Sequence, residues 1–204
     1  MKDQIKWKKS RRLDFSLLEN RKEFKKADIK KATERAKGIK PRRKVLSGYG
    51  KQLQEKQKLR FLYNVSERQF RRLFGIAQKA KGVTGLEFLR ILESRLDNVV
   101  YRLLFAPTRA AARQLVAHGH ILVNGKKVDI PSYLVKVNDE ISIKATSHGL
   151  KVITDSLATS HGTVAYVSVD RDAMKGSLSR LPERNELNQE IDEHQIIEYY
   201  NRLL

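Results

Sequence analysis

Between residues 47 and 82 the apolar positions recur three and four residues apart, which predicts two helices. The first is expected over about residues 49–63, with Ser47 capping its first turn. The second opens with Ser66 and Gln69, the spacing of a capping box, and Gly82 is a typical helix end. The side chains expected on the buried faces are Leu53, Leu59, Leu62, Phe70, Leu73, Phe74 and Ala77.

The same spacing predicts a longer helix from about residue 84 to Leu104. Thr84 and Glu87 form a second capping-box pattern at its start. A shorter helix is expected over residues 109–118, with Thr108 as its N-cap and Gly119 as its end. Apolar residues lie along one face of each of these helices.

After Gly119 the apolar period changes to two, which is typical of β-strands. Residues 118–130 read HGHILVNGKKVDI, and the Asn124-Gly125 pair favours a hairpin with a type I′ turn. Further strands are expected around Val135–Val137 and Ile141–Ile143, at 164–169 and at 177–181, followed by an acidic helix over 190–203.

Composition narrows the class of partner. The chain has 204 residues, of which 32% are charged, and its formal net charge is +19. Such a charge destabilises a compact fold by self-repulsion unless a polyanion neutralises it. Nucleic acid is the usual polyanion. An anionic membrane is disfavoured, because no helix combines a basic face with a broad aromatic-rich apolar face and no apolar run reaches the roughly 18 residues of a span.

The sequence indicates neither a metal nor a cofactor. It contains no cysteine, which excludes disulfides, thiolate zinc sites and a cysteine nucleophile. His118 and His120 lack a nearby carboxylate arrangement that would suggest a metal site. The basic N-terminus has no apolar segment of the kind found in secretory signals, which favours a cytoplasmic protein.

Positive charge is concentrated near the N-terminus. Residues 1–50 carry 18 Lys/Arg against 6 Asp/Glu, a net charge of +12, whereas residues 151–204 carry 6 against 9, a net charge of −3. The two ends are therefore expected to meet different partners. The apolar residues of 1–46 are too few and too scattered for a core, so this segment is either a disordered basic arm or an arm that orders on RNA.

Basic residues are grouped where they favour contact with RNA phosphates. Arginines occur on the helix after Ser66, on a polar stripe of the helix over 84–104, and on the helix over 109–118, and a further basic run reads KPRRK. Lys126 and Lys127 follow the tight hairpin turn, which fixes them, so little entropy is lost when they meet phosphate. The candidate RNA-binding residues are Arg42, Arg43, Lys44, Lys58, Arg68, Arg71, Arg72, Arg95, Arg102, Arg109, Arg113, Gln114, His118, His120, Asn124, Lys126 and Lys127.

Two stretches resemble the family of bacterial small-subunit ribosomal protein S-four. They read LSGYGKQLQEKQKLRFLYNVSERQFRRLF and LESRLDNVVYRLLFAPTRAAARQLVAHGHILVNGKKVDIPSY, and the C-terminal LPERNELNQEIDEHQIIEYY is also similar. The likeness covers about residues 40–204 and is strongest over 47–137. The helix–helix–hairpin part is less specific, because pseudouridine synthases, a tyrosyl-tRNA synthetase and a heat-shock RNA binder carry similar modules.

The resemblance implies a non-enzymatic component of the small ribosomal subunit that binds 16S ribosomal RNA first and nucleates assembly of the subunit body. It implies a place beside ribosomal protein five that affects decoding accuracy. It also implies a share, with proteins three and five, in lining the channel through which messenger RNA enters. The residues expected at the protein interface are Tyr49, Gln52, Glu198 and Tyr199. No cofactor is implied.

The expected fold class is α+β: a helical domain with an inserted module of two short helices on a small, mostly antiparallel sheet, plus an extended basic N-terminal arm. The arm is expected over 1–46, the helical domain over 47–92 with 183–204, and the RNA-binding module over 93–182.

Residues 183–204 carry six acidic residues and two arginines, a net charge of −4. This segment is expected to dock on the helix that begins near Tyr49, which leaves Glu198 close to Gln52.

The chain departs from the family pattern in two places, and two other functions stay open. The N-terminal cysteine zinc site of some members is absent, and the chain reads ERAKGIKPRRK where many members have Pro-Gly-Gln-His-Gly before the basic run.

An RNA-modifying enzyme could carry the same module, but no catalytic carboxylate in a nucleotide pocket is indicated. A regulatory or stress RNA binder outside the ribosome is the other alternative.

Overall fold

The structure, a computed structural model, describes residues 2–19, 24, 46–159 and 162–203. They form two compact units, one within Met1–Leu62 and Ile191–Leu204 and the other within Tyr63–Glu190. Helices together with one antiparallel sheet confirm the expected α+β class. The domain division expected from the resemblance, with boundaries after residues 46, 92 and 182, stays a prediction.

The helices and strands of the described residues are numbered in chain order. The helices are α1 (Lys2–Leu13), α2 (Gly48–Leu62), α3 (Glu67–Lys79), α4 (Thr84–Glu93), α5 (Leu96–Arg102), α6 (Arg109–Ala117), α7 (Lys151–Thr159) and α8 (Glu193–Asn201). The strands are β1 (Ile121–Val123), β2 (Lys126–Lys127), β3 (Glu140–Ile143), β4 (Val167–Asp170) and β5 (Lys175–Leu178).

The first unit is built around α2. The Ser47 hydroxyl accepts a hydrogen bond from the Gly50 N–H at 3.2 Å, which confirms the predicted cap. Leu59 and Leu62 are buried, and α2 packs against α8. The predicted docking of the acidic C-terminal helix on the helix that begins near Tyr49 is therefore confirmed.

The described part of the N-terminal arm differs from the expectation. Residues 2–13 are helical, and Leu13, Phe15 and Leu17 are buried. The buried Ser10 holds the turn after α1, because its carbonyl accepts from the Phe15 N–H at 3.1 Å and its hydroxyl from the Leu17 N–H at 3.3 Å. The expectation that the apolar residues of the arm join no core is wrong for this segment, since clustering of three apolar side chains within five residues is enough to anchor it.

In the second unit α3 and α4 pack against each other through aromatic contacts. The Ser66 hydroxyl accepts from the Gln69 N–H at 3.4 Å, as expected of a cap. Phe88 packs edge-to-face against Phe70 and Phe74, with ring centroids 4.9 and 5.4 Å apart. Such pairs add about 0.5–1.5 kcal/mol beyond the area that they bury.

The predicted helix over 84–104 is broken, and its predicted capping box is absent. Val83, not Thr84, is the N-cap, and it makes no side-chain cap bond. At residues 94–95 the chain leaves the helical conformation because its backbone bonds to another segment: the Leu96 N–H donates to the Tyr133 carbonyl at 2.8 Å, and Ser94 accepts from the Val135 N–H at 2.8 Å. Tertiary pairing has overridden the local periodicity.

The sheet has the order β2-β1-β3-β5-β4, and every neighbouring pair is antiparallel. Asn124 and Gly125 have φ values of 49° and 76°, which confirms the predicted turn. Helices α5 and α6 pack against each other, and their apolar residues share one core with β1 and β3. Two short helices on an antiparallel sheet are therefore confirmed.

Two features of this unit differ from the sequence expectation. The predicted strand around 135–137 does not form, and helix α7 over 151–159 was not expected. Its Ile153 and Leu157 are buried, but its first turn follows no cap signal in the sequence. Among the described helices none has the length and apolar character needed to cross a membrane.

Candidate nucleic-acid interface

Helix α3 presents an arginine face on the second unit. Phe70 and Leu73 point into the core, whereas Arg68, Arg71 and Arg72 are exposed. Residues three and four apart are neighbours on a helix surface, so Arg71 and Arg72 each neighbour Arg68. Guanidinium groups present several N–H donors in a fixed fork that matches phosphate oxygens.

A second exposed basic surface, the α6–hairpin surface, consists of Arg113, Gln114, His118, Lys126 and Lys127. The Arg113 side chain is 36% exposed, and the other four residues are exposed. Helix α6 starts where predicted, because the Thr108 hydroxyl accepts from the Ala111 N–H at 3.2 Å. The cap and the tight turn hold these side chains on rigid elements.

Gly119 lets a lysine cross the end of α6. Its φ is 73°, and a Cβ atom there would lie 2.2 Å from Cε and 2.9 Å from Nζ of Lys127. The Lys127 side chain therefore runs against the Gly119 backbone, where the last carbonyls of α6 carry negative partial charge. The glycine fixes the position of a cation that sequence analysis could place only on a turn.

Asn124 and His120 have partners inside the protein. The Asn124 amide donates to Asp139 Oδ1 at 2.9 Å, and its Oδ1 accepts from the Glu140 N–H at 2.9 Å. His120 Nδ1 lies 2.9 Å from Ser147 Oγ. Asn124 is exposed but ties the hairpin to β3, so its first role is to fix the turn.

A buried carboxylate, Glu93, organises the centre of the second unit. Arg102 donates to it twice, from Nε at 3.0 Å and from Nη2 at 2.8 Å. The hydroxyls of Tyr63 and Tyr166 donate at 2.5 and 2.8 Å. The Asn98 amide donates at 2.6 Å. This set satisfies both carboxylate oxygens, as burial requires.

The pKa values of these groups follow from burial and charge. Burial alone would raise the pKa of Glu93, but the charge and hydrogen bonds of Arg102 outweigh it and hold the pKa below its ordinary value. Burial, followed by the negative charge of Glu93, raises the pKa of Tyr63 and Tyr166. Near neutral pH Glu93 is therefore ionised, and both tyrosines are neutral donors.

Arg95 forms a second buried pair with Asp97. Arg95 is 1% exposed, and its Nε and Nη2 atoms donate to the two oxygens of Asp97 at 3.0 and 2.7 Å. Asp97 Oδ2 also lies 3.5 Å from Nη1 of Arg113, which donates to the Asn64 carbonyl at 3.3 Å. One carboxylate thus links a buried arginine to an arginine at the surface.

Arg109 is also held inside. It is 7% exposed, and its Nε donates to Asn98 Oδ1 at 2.8 Å. Its guanidinium carbon lies 5.0 Å from the Tyr63 ring centroid and 4.6 Å from that of Tyr101. These are cation–π distances.

The predicted exposed stripe of Arg95 and Arg102, and the predicted exposure of Arg109, are therefore wrong. The stripe assumed one continuous helix, and the break before α5 turns these arginines toward Glu93, Asp97 and Asn98. Buried carboxylates need paired cations, which gives the three arginines an internal role.

The remaining candidate RNA-binding residues lie in or near the first unit. Lys58 is half-buried, and its Nζ lies 2.5 Å from Glu55 Oε1. Arg42, Arg43 and Lys44 lie outside the described residues. Within residues 2–19, 46–159 and 162–203 no three His, Asp or Glu side chains are grouped as metal ligands.

The four residues expected at a protein interface meet where α2 packs on α8. Gln52 Nε2 donates to Glu198 Oε2 at 2.8 Å, as the sequence predicted. The rings of Tyr49 and Tyr199 lie 5.8 Å apart, and a hydrogen bond with Tyr199 raises the pKa of Tyr49. Tyr49 and Glu198 are exposed, whereas Gln52 and Tyr199 are buried.

Sequence reasoning missed the Glu93 network, although one signal could have indicated it. Glu93 follows Leu89 by four positions and precedes Leu96 by three, so it lies on the apolar face of the predicted helix. A carboxylate on such a face requires buried partners. Tyr63 and Tyr166 lie 30 and 73 residues away, and no local pattern connects them.

Comparison with known proteins places the chain among ribosomal proteins. Residues 2–93 match the family described as "Ribosomal protein S4/S9 N-terminal domain", and residues 94–141 match the "S4 domain". The small ribosomal subunit protein uS4 of Mycoplasma capricolum is 54% identical over 199 residues, which is 97% of this chain and 95% of the relative. The proteins of the same name from Mesoplasma florum and Streptococcus thermophilus are 53% and 50% identical, each over 97% of this chain and 96% of the relative.

Proposed function

Because the chain belongs to the family of small ribosomal subunit protein uS4, we propose that it is a structural, non-enzymatic component of the small ribosomal subunit that binds 16S ribosomal RNA. The observation that carries the proposal is the pair of exposed basic surfaces, on α3 and on α6 with the hairpin, on a chain of net charge +19. Phosphate contacts supply most of the affinity of such proteins.

The proposed contact residues are the exposed members of the sequence-derived set. They are Arg68, Arg71, Arg72, Gln114, His118, Lys126 and Lys127, together with Arg113, whose side chain is 36% exposed. His120, Asn124 and Lys58 support these surfaces through bonds within the protein. Arg95, Arg102 and Arg109 stabilise the module from inside. Arg42, Arg43 and Lys44 stay in the proposed set on charge alone.

A finer role follows from the family and from the acidic C-terminus. We propose that the protein binds early and nucleates assembly of the subunit body. The α2–α8 contact, with Tyr49 and Glu198 exposed on it, would face ribosomal protein five and influence decoding accuracy. Contact with protein three and with messenger RNA near its channel belongs to the same proposal. An acidic segment is repelled by phosphate, which supports a protein partner.

Gradient sedimentation tests the proposal. The full chain, expressed with a small epitope tag, is expected to comigrate with small ribosomal subunits at moderate salt and to be incorporated when subunits are reconstituted from 16S ribosomal RNA. Recovery at the top of the gradient in both preparations would favour an RNA binder that acts outside the ribosome.

A further inference from the structure

The first unit contains a cleft between α1 and α2. Its volume is about 960 Å³, which is within the range of ligand pockets. Leu46 and Leu53 are among the apolar residues that line it, and Gln57 lies on its α2 side. The cleft lies entirely within one compact unit.

Cations dominate the charged lining of the cleft. Among the described residues of the lining, Lys9 and Arg12 come from α1 and Arg60 from α2, against one carboxylate, that of Asp14. Lys9 Nζ lies 4.2 Å, and the Arg60 guanidinium carbon 4.6 Å, from the centroid of the Phe61 ring. The aromatic ring therefore holds two cations in place, which prepares the cleft for an anion.

Gln57, which lines the cleft, has a buried amide oxygen that lacks a partner. Gln57 Oε1 is buried and accepts no hydrogen bond within the described structure. The neighbouring Gln54 differs, because its amide already donates to the Leu13 carbonyl at 3.0 Å. A buried acceptor without a donor costs about 1–3 kcal/mol, so an occupant with an N–H or O–H group is favoured.

A nucleotide has the three properties that the cleft favours in an occupant: an anionic phosphate, hydrogen-bond donors and a flat apolar base. We propose that this cleft receives one nucleotide of the bound RNA, with its phosphate at Lys9, Arg12 and Arg60. The base lies against Leu46 and Leu53, and an exocyclic amine or the 2′-hydroxyl donates to Gln57 Oε1. Unstacked nucleotides of folded RNA are recognised in this way. The inference rests on the proposed function and adds a site to it.

The charge of the described lining favours an anionic occupant. Its three cations outnumber its one carboxylate, so it attracts an RNA phosphate.

The test uses the full chain with 16S ribosomal RNA. Gln57→Leu is expected to weaken binding about fivefold, since one hydrogen bond is lost, without a change in the dependence of affinity on salt. Lys9→Gln with Arg12→Gln should weaken binding and also flatten that dependence. Gln195→Leu on α8 is the matched control, because Gln195 does not line the cleft. It should change neither quantity.

Footprinting of the RNA 2′-hydroxyls gives a second readout. Both cleft variants are expected to remove protection from the same one or two nucleotides, and the control should not. The cleft site would be overturned if the cleft variants kept their affinity and footprint while substitutions on the α6–hairpin surface still weakened binding. That result would leave the proposed function intact. If neither the cleft variants nor the α6–hairpin variants changed affinity or footprint, the result would count against the proposed function itself.

A free nucleotide is the other source of the same chemistry. Adenosine 5′-monophosphate, cytidine 5′-monophosphate and inorganic phosphate, each titrated into the full chain, are expected to bind only in the millimolar range. Micromolar binding of a mononucleotide that Gln57→Leu abolishes would overturn the assignment to RNA. Thermal melting of each variant identifies any substitution that unfolds the first unit.

Discussion

At the scale of single residues, the cations divide into an internal and an external group. Sequence reasoning identified the arginines but could not separate the groups, because residue type does not encode which side of a helix break a side chain occupies. Arg109 is buried, with a hydrogen bond to Asn98 and cation–π contacts with two tyrosines. Arg113, four positions later, reaches the surface. Arg109 is held inside by Asn98, Tyr63 and Tyr101, which lie outside α6, and no local pattern contains these contacts.

This division predicts opposite effects for two neighbouring substitutions. Arg109→Gln should lower the melting temperature, since it removes a buried hydrogen-bonded cation, while leaving the salt dependence of RNA affinity nearly unchanged. Arg113→Gln should leave the melting temperature nearly unchanged and flatten the salt dependence by somewhat under one unit. Melting curves and filter-binding titrations measure both. Equal loss of stability in the two variants would contradict the division.

Glu93 predicts a pH dependence of stability. Its pKa is lower in the folded than in the unfolded protein, so the folded state gains stability above the unfolded pKa, about 4.3. That stability is lost as the pH falls below this value toward the folded pKa. Glu93→Gln leaves the half-buried Arg102 without its counter-charge and should lower the free energy of unfolding by roughly 3–5 kcal/mol near neutral pH.

Urea titrations of wild type and Glu93→Gln at pH 7 and pH 3 measure this effect. The difference between the two proteins should shrink at the lower pH, because the wild-type carboxylate then contributes less. A difference that stays constant between these pH values would remove the ionised carboxylate from the account. Glu140→Gln, at an exposed pair with Lys175, is the matched control and should have little effect at either pH.

At the scale of elements, local signals predicted starts and turns better than ends and breaks. The caps at Ser47, Ser66 and Thr108 and the turn at Asn124 were correct because their chemistry lies within four residues. The break before α5 depends on distant partners. Helix α1 was missed because its described buried apolar side chains, Leu13, Phe15 and Leu17, cluster at and just after its end.

The packing of the α1 segment predicts that the N-terminus contributes to stability. Phe15 is 2% exposed and lies within 5.8 Å of the Lys58 ammonium. Phe15→Ala should therefore destabilise the protein by about 3–5 kcal/mol. Trp7→Ala is the control, since Trp7 is 38% exposed, and it should cost much less. Equal melting temperatures for wild type and Phe15→Ala would restore the interpretation as a loosely attached arm.

At the scale of the whole molecule, the distribution of charge supports separate surfaces for RNA and for the proposed protein partner. The first fifty residues carry +12 and residues 183–204 carry −4, and the composition indicated this division before the fold was known. The fold adds that Gln52 and Glu198 meet at 2.8 Å. Neither observation encodes the identity of the proposed protein partner, which is inferred from the family alone.

The acidic end predicts a separation of two functions. Glu198→Lys should spare binding to naked 16S ribosomal RNA, because Glu198 lies outside the proposed basic surfaces. The contact between α2 and α8 should also persist, because the buried Gln52 Oε1 can accept a hydrogen bond from the new ammonium. The charge reversal should loosen the proposed contact with ribosomal protein five and raise stop-codon readthrough. The reason is that, in this proposal, a closing motion of the subunit has to break that contact. Lost RNA affinity with unchanged readthrough would place the segment on RNA instead.

The most direct test of the account is the salt dependence of 16S ribosomal RNA binding after neutralisation of the α6–hairpin surface. In the triple variant Arg113→Gln, Lys126→Gln and Lys127→Gln, the slope of log affinity against log salt should become shallower by about two units, somewhat under one for each lost phosphate contact. The control neutralises the exposed Lys136, Lys151 and Arg171, which changes the net charge equally and should leave most of the slope in place. A slope that is unchanged in the triple variant, or that falls equally in both variants, would contradict a defined RNA interface on this surface.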